Sequence, residues 1–113
     1  MLVDDLKVLL ASSYAYQLKS QFFHWNVEGS DFAQLHEFFG NIYQEVYASI
    51  DATAELIRQL DQYAPGSFDR FRELSTVNDQ TKLPRARLMI EELLEDTNKM
   101  LDLTKRMFTV AEE

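Results

Sequence analysis

The sequence contains no cysteine, only three glycines, two prolines and two histidines, and very little positive charge in its first half. Each shortage excludes something. Without cysteine there are no disulfides, no thiolate metal sites and no thiol nucleophile. Little glycine and proline in a chain that is 46% hydrophobic points to a helix-rich globular protein rather than a disordered one. No apolar run approaches the roughly 20 residues of a membrane span. The first seven residues show no basic stretch leading into an apolar one, so no secretory signal is visible and a cytoplasmic location is expected. Lys7 and Lys19 are the only basic residues up to residue 50, and the net charge is −8, which argues against coating DNA by neutralising its phosphates. An acidic shell attracts cations, and equally it serves solubility. Glycine-rich phosphate loops, Gly-x-Ser-x-Gly and His-Glu-x-x-His are all absent.

What is present is helical periodicity. Leu2, Leu6, Leu10, Tyr14, Leu18, Phe22 and Trp25 recur at the spacing of one helical face, predicting a first helix from Leu2 to Trp25. Gly29 can end it in a left-handed conformation, and Ser30 or Asp31 can cap the next helix, so an antiparallel hairpin is expected. The second helix carries Phe32, His36, Phe39, Tyr43, Val46, Ile50, Thr53, Ile57 and Leu60 and is predicted to run to about Gln62, ahead of Pro65-Gly66. Ser67 can cap a short helix through Phe68, Phe71 and Leu74. After a polar stretch, Pro84 suits the first turn of a third long helix bearing Met89, Leu93, Met100, Leu103 and Met107, whose methionines are expected to fill core space. The fold class is therefore all-α: three long helices and a short connector, most of a four-helix bundle, in a single domain over residues 1–113. An apolar stripe left without a fourth long helix would need cover from another chain.

His24 lies shortly before the interhelical turn and His36 shortly after it, so a hairpin brings both to nearly the same level. Taken singly, a helical histidine among Phe22, Phe23, Phe32 and Phe39 is more often a hydrogen-bonded core or interface residue than a ligand. Asp51 and Glu55 stand one turn apart on the second helix, where like charges repel unless a cation or Arg58 compensates. A solvated acidic stripe is the plain alternative. His36, Asp51 and Glu55 border one broad face, yet fifteen residues at 1.5 Å each separate His36 from Asp51 by about 22 Å. If the four residues bind one metal cluster, the site must be assembled across two chains, and a dimer is implied. Imidazole and carboxylate without thiolate suit iron, manganese or zinc, and open coordination positions would favour redox-active iron. Gln21 and Ala33 stand three residues before the histidines, so the Glu-x-x-His pairs of single-chain di-iron bundles are absent. Gly40 interrupts the second helix at a helix-propensity cost of about 1 kcal/mol. Close approach of a second chain and a bulky neighbour seated on it both account for that glycine. Trp25, Tyr43 and Tyr47 can intercept one-electron oxidants, or simply pack.

The run His24-Trp25-Asn26-Val27-x-Gly29-x-x-Phe32-x-x-Leu35-His36-Glu37, followed by Asp51-x-x-x-Glu55, resembles the Dps family of mini-ferritins, and the likeness extends over nearly the whole chain. The resemblance implies a ferritin-like subunit of a dodecameric shell that oxidises Fe(II), commonly with hydrogen peroxide and otherwise with oxygen, and stores ferric mineral. It implies that His24 and His36 from one subunit, with Asp51 and Glu55 from its two-fold neighbour, hold a di-iron or mono-iron site, with Trp25 beside it. Three departures accompany it. Gly40 stands where many members have an acid that helps hold a second iron. The N-terminus reads Met1-Leu2-Val3-Asp4-Asp5 rather than lysine-rich, which argues against DNA binding from that end. The family's fourth long helix has no counterpart after Glu113. Two other functions therefore stay open: a non-catalytic structural or DNA-associated protein of the same fold, and an interaction module whose apolar face takes a partner helix.

Overall fold

A computed structural model describes residues 2–112 and contains four helices: α1 (Leu2–Asn26), α2 (Phe32–Gln59), the short α3 (Phe68–Leu74) and α4 (Ala86–Glu112). The three long helices and the short connector are those the periodicity predicts. Gly29 takes a positive φ of 112° in the α1–α2 turn, as that turn requires. Ser67 caps α3 by accepting the Arg70 N–H at 3.2 Å. Asp31 occupies the N-cap of α2, but its side chain makes no capping bond.

Two boundaries differ from the sequence reading. The second helix ends at Gln59, before the expected Gln62, because Asp61 turns left-handed at φ 61°. The Asp61 N–H then bonds the Arg58 carbonyl and the Gln62 N–H bonds that of Ile57, closing the helix end in a Schellman arrangement with aspartate where glycine is usual. At the other boundary, α4 starts at Ala86, so Pro84 lies in the approach to the helix rather than in its first turn.

The first helix is central, packing against each of the other three. Its predicted apolar face does not stay in the core: residues repeating every four positions drift about 40° per step around a helix. Leu6 and Leu10 are consequently buried, whereas Leu18 and Trp25 emerge on the outside at 44% and 60% exposure. What α1 buries instead includes small and polar residues, Ala11, Ser12, Ser13, Gln17, Lys19 and Ser20. Small side chains let the neighbouring segments come close, and the polar ones tie them down. Ser12 Oγ accepts the Thr76 N–H at 2.9 Å, and Lys19 Nζ donates to the Asn78 carbonyl at 3.1 Å and to Asp96 Oδ2 at 2.9 Å. The crossover and α4 are thereby fixed to α1 by buried polar contacts.

Asp5 near the start of α1 meets Arg106 near the end of α4, so the two helices are antiparallel, as α1 and α2 are across their turn. One apolar cluster, with Phe23, Val27, Phe39, Met89 and Leu93, sits toward the α1–α2 turn. A second, with Leu6, Leu10, Ile57, Leu103 and Met107, fills the other end. Met89 and Met107 are buried and Met100 packs against the first cluster, as expected. A groove of about 400 Å³ runs between the long helices, lined by Leu9 and Tyr16 of α1, Ile42 and Val46 of α2, and Met100 and Leu101 of α4.

Tyr16 reports on this packing. Thr97 Oγ1 donates to the Leu93 carbonyl, so the Tyr16 hydroxyl donates to Thr97 across 2.9 Å. Burial raises the phenol above its ordinary 10.0. Because the folded state favours the neutral phenol, this contribution to stability is whole below pH 10.0 and is lost as the pH rises through the higher folded value. Unfolding midpoints compared between about pH 8 and pH 11 should fall at the alkaline end in the parent, and more shallowly in Tyr16→Phe.

Candidate metal centre

His24 occupies the last turn of α1 and His36 the second turn of α2, and the hairpin brings their side chains together. The rings are stacked, with centroids 3.9 Å apart and planes inclined by 14°. Each is held by the backbone of the other: His24 Nδ1 lies 2.5 Å from the His36 carbonyl oxygen, and His36 Nδ1 lies 2.7 Å from the His24 carbonyl oxygen. The His24 carbonyl is among the last of α1, which no further helical turn satisfies. A carbonyl only accepts, so each Nδ1 carries a hydrogen and donates it. In the neutral ring that leaves the lone pair on Nε2, the tautomer that binds metal. A second hydrogen bond that fixes ring and tautomer is the usual support for a metal-ligating histidine.

Phe32 stacks beside His36 at 5.2 Å and 19°, and Tyr43 leans on His24 at 5.3 Å and 54°. The pair is thus closed on both sides by aromatic rings. Both histidines are half-buried. A cation bound through Nε2 lies in the plane of its ring, about 2.0–2.1 Å from the nitrogen if it is zinc-sized. Planes inclined by only 14° at this spacing do not meet at that distance, so the stacked pair suits one cation per ring rather than a chelate of one. Gly40 is buried beneath the His24 ring of its own chain, which answers the choice between a second chain and a bulky neighbour in favour of the neighbour.

Asp51 and Glu55 are both exposed on α2, with no hydrogen bond or ion pair among the described residues. Arg58 does not compensate them. Its Nη1 donates to the Gln62 carbonyl at 3.1 Å and its guanidinium lies 4.6 Å from the centre of the Tyr63 ring. The second helix is unbroken from Phe32 to Gln59, so the axial separation of His36 from Asp51 is about 22 Å. Among the described residues, no three His, Asp or Glu side chains converge on one metal position. The chain brings the histidines together and keeps the acids apart from them.

Trp25 and Tyr47 are largely exposed, at 60% and 59%. Only Tyr43 of the three flagged aromatics touches a histidine. Phe32 as a stacking partner and the two carbonyl anchors were missed by the sequence reading. Their signal was available in the twelve-residue spacing across the turn, which sets each histidine beside the other's backbone.

The fold is that of a ferritin-like protein, and the Ferritin family, described as a ferritin-like domain, matches residues 1–113. A Dps protein of Vibrio cholerae O1, described as a member of a broad superfamily of ferritin-like diiron-carboxylate proteins, superposes with a TM-score of 0.93 at 25% identity, covering 98% of this chain and 70% of that one. A DNA protection during starvation protein of Helicobacter pylori is 30% identical over 111 residues, 97% of this chain and 77% of that protein. The chain belongs to the Dps family of ferritin-like proteins. A low temperature-induced protein of Nostoc sp. is 33% identical over 93 residues, 81% of this chain, and the match spans about half, 52%, of that protein's length.

Proposed function

We propose that this chain oxidises Fe(II) for iron storage and protection against oxidants, at a site shared between two copies that pair about a two-fold axis. The observation that carries the reading is the split of the ligand set. His24 and His36 are oriented by carbonyl anchors with Nε2 available, while Asp51 and Glu55, unpaired among the described residues, stand about 22 Å and about 28 Å beyond His36 along α2. A two-fold operation makes each such surface face its counterpart, so a second copy can bring its acids to these histidines. Exposed Leu18, Trp25 and Phe68 around the cavity between α1 and α3 supply an apolar face for that partner.

In such a site each imidazole takes its own Fe(II), and the partner's carboxylates neutralise the added charge. Two ferrous ions give one electron each to hydrogen peroxide, its O–O bond breaks, and with two protons the oxygens leave as two waters. Taking both electrons in one event suppresses release of hydroxyl radical. Oxygen is the other candidate oxidant, and a closed shell of subunits, twelve by family resemblance, would hold the ferric product. No helix among the described residues is long and apolar enough to cross a membrane.

Absorbance of ferric product after a peroxide pulse onto anaerobically added Fe(II) tests the reading on size-fractionated protein. His36→Ala and Asp51→Ala should each lower the initial rate by about 100-fold or more while keeping the parental elution volume, since disturbing only a ligand's supporting partner already costs about 10–100-fold. Equal rates in parent and variants would leave the arrangement as inherited architecture and favour a structural or DNA-associated role.

A further inference from the structure

Gly40 lies within α2, where alanine would be the better helix former, so something other than propensity keeps the position bare. A Cβ built on Gly40 would stand 2.9 Å from His24 Cε1 and 3.0 Å from His24 Nδ1. Both distances are well inside the contact separation of about 3.5–4.0 Å for such atoms. Nδ1 is the atom whose hydrogen goes to the His36 carbonyl. The ring has little freedom to retreat, because His36 is stacked on it at 3.9 Å and Tyr43 leans on it at 5.3 Å. By contrast, Gly66 has open space around its Cα.

We propose that Gly40 is a positioning residue for His24: its missing side chain is the seat on which the imidazole lies, and that seat fixes the His24 tautomer with Nε2 available to a metal ion. The functional meaning rests on the iron-site reading above, but the seat itself is a property of the metal-free chain. Gly40→Ala tests it in two measurements. In imidazole nitrogen NMR of the metal-free protein, parental His24 shows a protonated Nδ1 and a bare Nε2; Gly40→Ala should lose that pattern, and Gly66→Ala should keep it. In calorimetric titration with Zn(II) as the probe, Gly40→Ala should weaken binding by about 10-fold or more, the usual consequence of disturbing a ligand's support.

His24→Ala supplies the second background. Once the imidazole is gone, Gly40→Ala should change Zn(II) binding no further and should raise the unfolding temperature, since only the gain in helix propensity remains. If Gly40→Ala alone does not fold, recovery of folding in the His24→Ala/Gly40→Ala double variant supports the seat, and failure of that double places the clash elsewhere and overturns it. Unchanged His24 signals and unchanged Zn(II) affinity in Gly40→Ala also overturn it. Neither failure touches the iron-site reading, which stands or falls on whether His36→Ala and Asp51→Ala lose Fe(II) oxidation.

Discussion

Two inactive variants, His24→Ala/His36→Ala and Asp51→Ala/Glu55→Ala, should recover about one quarter of parental Fe(II) oxidation when co-expressed in equal amounts and purified together. The arithmetic follows from a two-fold site whose histidines and acids come from different chains. In a mixed pair, the histidines of one chain and the acids of the other are both intact at one of the two sites, while the remaining site lacks both. Random pairing makes half of all pairs mixed, and half of the sites in those pairs are complete. The geometry behind this is the unbroken α2, which carries His36 and Asp51 about 22 Å apart and leaves no way for one chain to bring its own two sets together. Different affinity tags on the two variants, purified in sequence, isolate mixed assemblies and should raise the yield per chain. A mixture as inactive as its components would exclude the shared site. Substantial activity in either variant alone would remove those residues from the ligand set.

Lys19→Met should be the most damaging of single changes remote from the candidate metal site. Lys19 and Asp96 are 6% and 3% exposed, and their charged groups meet at 2.9 Å between α1 and α4. Glu92 lies 3.5 Å from the same ammonium, and the Asn78 carbonyl accepts from it. Methionine fills much of the same volume but leaves the Asp96 carboxylate buried with no cation. Breaking a buried pair this way costs about 3–5 kcal/mol, out of a total stability of about 5–15 kcal/mol for a domain. At about 4–8 °C per kcal/mol for a chain near this size, the thermal midpoint should fall by roughly 20 °C at fixed protein concentration. Asp96→Ala should cost less, because Lys19 keeps Glu92 and the Asn78 carbonyl. Lys19→Met/Asp96→Leu should recover most of the loss, since replacing both partners by apolar groups leaves no unpaired charge. A Lys19→Met protein unfolding within about 1 kcal/mol of the parent would show that the pair does not hold α4 to α1.

The legible parts of this protein were those carried by short-range pattern. Apolar steps of three and four gave α2 and α4 because both are amphipathic, with one face inward. The first helix was legible as a helix but not in its packing. Its apolar residues spiral around an element that neighbours surround, so Leu18 and Trp25 came out exposed while Lys19 and Ser20 went in. No local rule announces that a lysine will be buried; its partners, Asp96 and Asn78, lie 77 and 59 residues away. The end of α2 was misplaced for a related reason. Asp61 adopts the left-handed turn that glycine normally marks, and aspartate is too common in helices to serve as a stop signal.

At the candidate site, sequence alone determined the residue types, the juxtaposition of His24 with His36 across a short turn, and the distance that separates both from Asp51 and Glu55. Those follow from chain connectivity and the fixed rise of a helix, which no packing can alter. Tertiary structure decided how the imidazoles are used: which nitrogen is tied to a carbonyl, which is left available, that the rings stack, and that the bare Cα of Gly40 makes room for one of them. Such details depend on sub-ångström approach of one helix to another, and that approach is set by all the side chains between them rather than by any one residue's place in the sequence.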